Sequence, residues 1–460
     1  MTGPTGGATG DPLPDDGDRF PHRLGRPAAY PAAMLQRIRN WFDWMRTNFF
    51  ALPAVAVVVG FVGARLAVGV ETGDWVGRST VDSARGVLSA AAAATITFAS
   101  ITFSVSLLIM QQGSSQFSPR VVHGLTRDPF NRRVIAIVVG TFTYCLVALL
   151  RVRGPATDTG EEVAPDFAVA LGVLLAVTAV LAVVAAINHT SRSMDISQIL
   201  GAVVAQALAA STRGSDDGLR AAPPPAASED RAPTVIRFDA DGWVRHIDRR
   251  ALLRLVEPGG RVRLEIETGR YAIRATPLCA IWPAVTEDRL GDVTAAARRA
   301  IVLGPTRTVA DNSAYGVRQL VDVALKALSP GVNDPTTAQD AIFHLGTVLV
   351  ARLTSPVAPT AYDDGHGRTL LTPHATTDAD LAELACAELR RAAAGQPAVI
   401  VYLLEMLSLV VDAARANGAH DRVGPFLEQA RLTVANADDA TFVDADRQRI
   451  RQAYADRFAP

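Results

Sequence analysis

Lysine is almost absent from this chain. Lys326 is the only one among 45 basic residues, which excludes any mechanism that needs two lysines. Cysteine is nearly as scarce: Cys145, Cys279 and Cys386 share no CxxC or Cys/His spacing, so neither a disulfide framework nor a zinc motif is present. An odd, scattered set is compatible with a reducing compartment, and the three read as small buried apolar residues. A net charge of −1 leaves no global field aimed at nucleic acid. No P-loop, G-x-S-x-G, H-E-x-x-H or dinucleotide fingerprint occurs. The eight histidines are scattered: His366 and His374 flank a Gly/Thr/Pro loop, and His123 and His189 fall at membrane boundaries. No catalytic residues, no metal and no cofactor are therefore expected. The arginine bias and heavy alanine use point to a high-GC bacterial genome.

Long apolar runs are what the chain does have. Residues 49–70, 86–110, 134–150 and 167–187 are each near the ~17–25 residues that a helix needs to cross a bilayer. Only the first holds a charge, Arg65. The Gly-, Pro- and Asp-rich segment 1–33 has no apolar core of a signal peptide and reads as a disordered tail. Arg37, Arg39 and Arg46 precede the first run, beside Trp41 and Trp44, and Arg120, Arg127, Arg132 and Arg133 lie between the second and third. The other two connections are acidic overall. Basic residues mark the cytoplasmic side, so the pattern predicts four spans, both termini in the cytoplasm of a bacterial inner membrane, and a cytoplasmic C-terminal half. Arg65 lies near the outer end of its span. It either snorkels toward Glu71 and Asp74 or takes part in permeation.

The second run is unusual. At about 100° per residue, Ser89, Thr97, Ser100, Ser104 and Gln111 fall on one stripe, and Thr95, Thr102 and Ser106 fall opposite. A hydroxyl stripe can line a wet path, because hydroxyls replace hydration water without fixing a charge. It can equally bond back to its own helix and let helices pack closely. Gly113 and Pro119 are expected to stop this helix, leaving Gln111, Gln112, Ser114, Ser115 and Gln116 as an uncharged polar cluster at the inner mouth.

Beyond the spans, residues 188–210 read as a continuation of the fourth helix and 211–233 as a linker. Residues 234–283 form a small β unit, with strands at 234–238, 243–247, 261–267, 271–274 and 277–281 and a short helix capped by Asp248. The absence of lysine there excludes a lipoyl- or biotinyl-type modification. From 284 onward the chain is helical. Arg318, Asp322 and Lys326 make an i, i+4, i+8 ladder, and Asp334 caps a helix that has Pro335 at its first position.

Three stretches together resemble a known family: Ser114-Ser115-Gln116-Phe117-Ser118-Pro119-Arg120, Gly316-Val317-Arg318-Gln319-Leu320-Val321-Asp322, and Ala327-Leu328-Ser329-Pro330-Gly331-Val332-Asn333-Asp334-Pro335-Thr336-Thr337-Ala338. The chain is similar to the bacterial predicted integral-membrane proteins catalogued as domain of unknown function 2254, over roughly residues 35–435. The resemblance implies four spans plus a cytoplasmic domain, and carries over no activity and no catalytic residues. The 329–338 segment has two readings. It is a tight corner between helices, or it presents Asn333, Asp334, Thr336 and Thr337 to a small ligand or ion, with Arg318 and Asp322 as further candidates and Arg307 and Asp311 approaching it in space.

The expectation is an α-helical membrane protein with four transmembrane helices and a cytoplasmic α+β domain, a small β unit followed by a helical bundle. Its leading function is an oligomeric channel or transport protein for a small ion or solute, with pore-lining candidates Ser89, Thr97, Ser100, Ser104, Gln111 and Arg65. The alternative is a membrane-anchored ligand-sensing or scaffold module. The expected partners are the lipid bilayer and further copies of the chain, and no nucleic acid.

Overall fold

The computed structural model describes residues 51–69, 80–116, 129–152, 165–193, 195–213, 218–223, 232–309 and 312–458. The tail at 1–33, the Arg37–Arg46 flank, Glu71, Asp74, His123 and Asp311 lie outside these residues, as do the side chains at 112–116.

Four helices come first: α1 (Ala51–Ala67), α2 (Val81–Gln116), α3 (Pro129–Leu149) and α4 (Asp166–Ser193). The central helix is α3, which packs against the other three. Glycine lets α1 approach it. A side chain on Gly60 would collide with the Gly140 carbonyl, and one on Gly140 would come within 3.1 Å of the Ala56 carbonyl. Close backbone approach through small residues is how helices associate in lipid, where no hydrophobic force drives them together. Tyr144 of α3 donates to the Ala168 carbonyl of α4 at 3.0 Å, and Ala64, Leu88, Cys145 and Ala148 fill the space around it. The outer faces of α1 and α4 are large and apolar: Val58, Val59, Leu66, Leu174, Leu181 and Val184 are all exposed.

By length and apolarity, four helices among the described residues can cross a membrane: 81–108, 130–149, 166–189 and Pro397–Ala416. The last is a different kind of helix. Val399, Ile400, Leu403, Leu404, Leu407, Val410 and Val411 on it are buried in the core of the C-terminal half. Apolar on nearly all sides, it is a central helix of that core. By contrast α1, which at 17 residues is only about 25 Å long, belongs to the membrane bundle through its packing on α3.

The fourth span does not run on unbroken. It ends at Ser193, and α5 (Ile196–Arg213) starts afresh, with the Asp195 carboxylate accepting from the Ser197 N–H at 3.0 Å. Asp195 is thus a start signal within what looked like one long helix. Ile199, Leu200, Val203 and Ala207 of α5 pack into the helical core.

Two sheets follow. One has the order β1-β8-β9-β4-β6-β2 and the other β5-β3-β7. The strands are β1 (Arg220–Ala221), β2 (Thr234–Arg237), β3 (Gly242–Ile247), β4 (Arg261–Leu264), β5 (Tyr271–Ala272), β6 (Pro277–Trp282), β7 (Ile301–Gly304), β8 (Ala361–Asp363) and β9 (Thr369–Leu371). All pairings are antiparallel except β4 with β9. The sheets therefore reach beyond 234–283 and draw strands from segments read as linker and helix. Short helices α6 (Arg249–Leu253) and α7 (Glu287–Arg299) cover them, and α6 is capped by Asp248 at 2.8 Å as expected.

The helical core contains α8 (Ser313–Ala327), α9 (Pro335–Thr354), α10 (Asp378–Ala392), α11 (Pro397–Ala416), α12 (Gly424–Asp439) and α13 (Asp444–Phe458). The start of α9 at Pro335 behind the Asp334 cap is the one that the sequence predicts. Arg422 fastens the core. Its guanidinium donates to both Asp378 oxygens at 2.6 and 2.8 Å and to the carbonyls of Arg352, Leu353 and Ser355 at 3.1, 2.7 and 2.6 Å. One side chain thereby closes the C-terminus of α9 onto the first turn of α10. Truncating one partner of a buried, fully bonded pair leaves the other uncompensated. Arg422→Ala should therefore destabilise the protein by about 3–5 kcal/mol, read by urea denaturation in detergent. A loss below 1 kcal/mol would show that water replaces the guanidinium.

Candidate functional site

The two hydroxyl stripes of α2 have different fates. Thr95 and Thr102 are buried and Ser106 half-buried, whereas Ser89, Thr97, Ser100, Ser104 and Gln111 are exposed on the outside of the bundle. Inside, Thr95 donates to the Ala91 and Ala92 carbonyls, both at 2.9 Å. Thr102 donates to Phe98 at 2.8 Å. Ser106 donates to Thr102 at 2.7 Å and accepts from Asn131 Nδ2 of α3 at 2.9 Å. The crevice that Thr102 and Ser106 share with α3 and α4 holds about 10 Å³, room for about one water. Outside, Thr97 donates to the Ala93 carbonyl at 2.9 Å and Ser100 to Ile96 at 3.1 Å. Their protons are committed to the helix, so they present lone pairs outward.

Arg65 is not brought to this stripe by packing, because α1 packs on α3. Its guanidinium lies 5.3 Å from the Phe61 ring, one turn back toward the N-terminus of its own helix, a cation–π contact rather than a reach toward the outer end of the span. At its lower end α2 runs through Gly113 to Gln116, so Gly113 does not stop it. An isolated helical glycine is a modest penalty, not a terminator.

The 329–338 corner is compact. The Asp334 carboxylate accepts from the Thr336 and Thr337 N–H groups at 3.1 and 3.0 Å and from the Thr337 hydroxyl at 2.6 Å. Its own N–H donates to the Ala327 carbonyl at 2.8 Å. Asn333 takes a left-handed backbone with φ of 48° and accepts from Gln396 Nε2 at 2.6 Å. The side-chain oxygens of Asn333, Asp334 and Thr337 thus hold the corner itself, while Thr336 is exposed and contributes its backbone N–H. Arg318 and Asp322 have other partners. Arg318 donates to Asp322 at 2.8 Å and, bidentately, to Glu388 of α10 at 2.6 and 3.0 Å. Lys326, the third member of the ladder, makes no ion pair among the described residues. Arg307 stacks between Trp243 and Tyr315, 5.1 and 4.6 Å from the rings. That is the N-terminal end of α8, whose 15 residues set it about 22 Å from the corner.

Glu388 and Gln396 were missed because their partners lie 70 and 63 residues away. Cys279 and Cys386 are buried and free. Burial pushes both thiols up to about 12, so neither supplies a thiolate. Among the described residues, no three His, Cys, Asp or Glu side chains are grouped so as to hold a metal.

A family model described as Predicted membrane protein (DUF2254) matches residues 46–408. An uncharacterized protein of Mycobacterium tuberculosis (strain ATCC 25618 / H37Rv) is 28% identical over 428 residues, covering 89% of this chain and 81% of the relative. An uncharacterized protein of Mycobacterium bovis (strain ATCC BAA-935 / AF2122/97) matches to the same extent. No solved structure matches.

The Thr337 hydroxyl, and then the Thr337 backbone N–H, hold the Asp334 carboxyl below its ordinary range. A depressed folded pKa gives stability that is present above the unfolded value, about 3.9, and is lost as pH falls through the folded one. Asp334→Ala should lower stability by about 1 kcal/mol at pH 7 and flatten the loss below pH 4 in denaturation titrations. An unchanged midpoint at pH 7 would show that the cap contributes nothing.

Proposed function

We propose that this chain, which belongs to the family described as Predicted membrane protein (DUF2254), is an oligomeric channel or transport protein for a small ion or solute. Its place is the bacterial plasma (inner) membrane, with both termini and the C-terminal half in the cytoplasm, the orientation that the arginine distribution favours. One observation carries the reading: Ser89, Thr97, Ser100 and Ser104 form an exposed hydroxyl stripe along α2, set among exposed Ile96, Ile101 and Phe103, while the exposed faces of α1 and α4 are mostly large and apolar and Thr178 is an isolated exposed hydroxyl on α4. Lipid gives a hydroxyl nothing that a valine does not also receive. A wet path does, because hydroxyl oxygens substitute for hydration water.

The single bundle offers no such path through the crevice between α2, α3 and α4, with its volume of about 10 Å³. The stripe lies on the outside, so several copies must surround an axis to enclose it. The C-terminal half then serves as a regulatory module attached through α5. A tethered sensor that reads a ligand at the 329–338 corner has less support, because Asp334 and Asn333 already bond within the protein.

Ser100→Leu and Ser104→Leu should each cut ion flux in reconstituted vesicles at least tenfold, while Leu181→Ala on the lipid side leaves it within twofold. Flux that survives both leucine variants, or no flux from the native chain under any ion gradient, would remove this reading.

A further inference from the structure

Strands β4 and β9 run parallel, with Arg263 opposite Leu371, so the chain leaves both strands on the same side of the sheet. Past β4 come Glu265 and Glu267. Past β9 come His374 and Thr376, and then α10 begins behind the Thr377–Asp380 capping box. The loop after β4 is also tied to α8. Asn312 caps that helix by accepting from the Tyr315 N–H at 3.1 Å, and its Nδ2 donates to the Thr268 carbonyl at 2.8 Å. Residues 265–270 are thus a joint between the sheet and the helical core. On the α8 side it is held by neutral bonds and by the Arg307 stack. On the α10 side the groups are titratable.

The Glu265 carboxylate accepts from Arg263 Nε at 2.7 Å and has His374 Nε2 at 3.8 Å. Glu267, half-buried, is bonded by Thr376 and faces Arg270 from its own loop, His374 from the connector and Asp380 from α10. Asp380 in turn faces Arg270. Cys279 on β6 lies near Glu265 and stays a neutral thiol, pushed up to about 12 by burial and then by that carboxylate. Three carboxylates therefore meet two guanidiniums and one imidazole. A third guanidinium, Arg307, borders the same loop at Gly269, on the α8 side.

We propose that the Glu265–Glu267–His374 cluster is a proton-operated latch that closes the β4–β5 loop onto the N-terminus of α10. The two routes to the closed form act in the same direction. A protonated His374 faces two carboxylates, and a protonated Glu267 removes a charge from a poorly hydrated place. Burial holds the Glu267 carboxyl above its ordinary range, with Arg270 and then His374 partly offsetting it. A raised folded pKa gives stability that is full at low pH and lost as pH rises through it, so acidification tightens the joint and alkalinisation loosens it. The latch stands independently of whether anything crosses the membrane.

Hydrogen–deuterium exchange on the full chain in nanodiscs tests it, with protection corrected for the intrinsic pH dependence of exchange. Across a series from pH 4.5 to 7.5, the amides of residues 265–270 and 374–380 should be several-fold better protected at the acid end than at the neutral end, while those in α11 do not change. Glu267→Gln should make the joint well protected across the series, and His374→Gln, which removes the imidazole facing Glu265 at 3.8 Å, should shrink the pH dependence of the otherwise native joint. His374 is more than half exposed, so that variant keeps the test open if Glu267→Gln fails to fold. A joint whose protection is the same across the series in the native chain, or whose pH dependence survives both substitutions, would overturn the proposal.

Discussion

A hydroxyl within a bilayer must hand its proton to an acceptor, and on α2 the acceptor is the helix itself. Thr95, Thr97, Ser100, Thr102 and Ser106 all donate to carbonyls three or four residues back. This back-bonding answers those five donors on opposite faces of one membrane helix. It also decides what each face can offer. The inner stripe packs against α3 and α4, where its short side chains admit close contact and Ser106 gains a further bond from Asn131. The outer stripe turns lone pairs to whatever lies beside the bundle.

The rest of the membrane half is arranged around α3. Gly60 and Gly140 bring α1 in to backbone contact, and Tyr144 ties α4 through its Ala168 carbonyl. These contacts leave α2 at the side of the bundle with a full face unused. Below it, α4 passes through the Asp195 break into α5, which packs into the helical core that Arg422 fastens. The membrane helices and the C-terminal half are thus connected by a packed helix rather than by a bare linker. The β4–β5 loop joins the sheets to the same core.

Much of the helical architecture was legible because period and capping speak locally. The apolar runs, the Asp248 and Asp334 caps, and the helices from α8 to α13 depend on neighbours within a turn or two. The missed features depend on distant partners or on very short elements. Strands β1, β8 and β9 have two or three residues each, too few for an alternation to register. Gly113 looked like a stop, but one glycine does not outweigh the turns on either side. Asp195 looked like part of a continuous helix because apolar spacing resumes directly after it. At the candidate site, the wheel separated the two stripes of α2, but which stripe faces inward is decided by α3 and α4. Arg318 promised a ladder with Asp322 and Lys326, yet Glu388 takes two of its donors. The side-chain oxygens of the 329–338 corner were visible in sequence, but not that the corner uses them.

The central claim is that the outer stripe of α2 borders water within an assembly rather than lipid. Cysteine scanning in native membranes tests it directly, with Cys145, Cys279 and Cys386 replaced by serine or alanine. Thr97→Cys, Ser100→Cys and Ser104→Cys should react with a charged, membrane-impermeant thiol reagent at least tenfold faster than Leu174→Cys and Leu181→Cys on the lipid face. Equal, slow labelling at all five positions would place the stripe in lipid or in a dry helix contact and contradict the account.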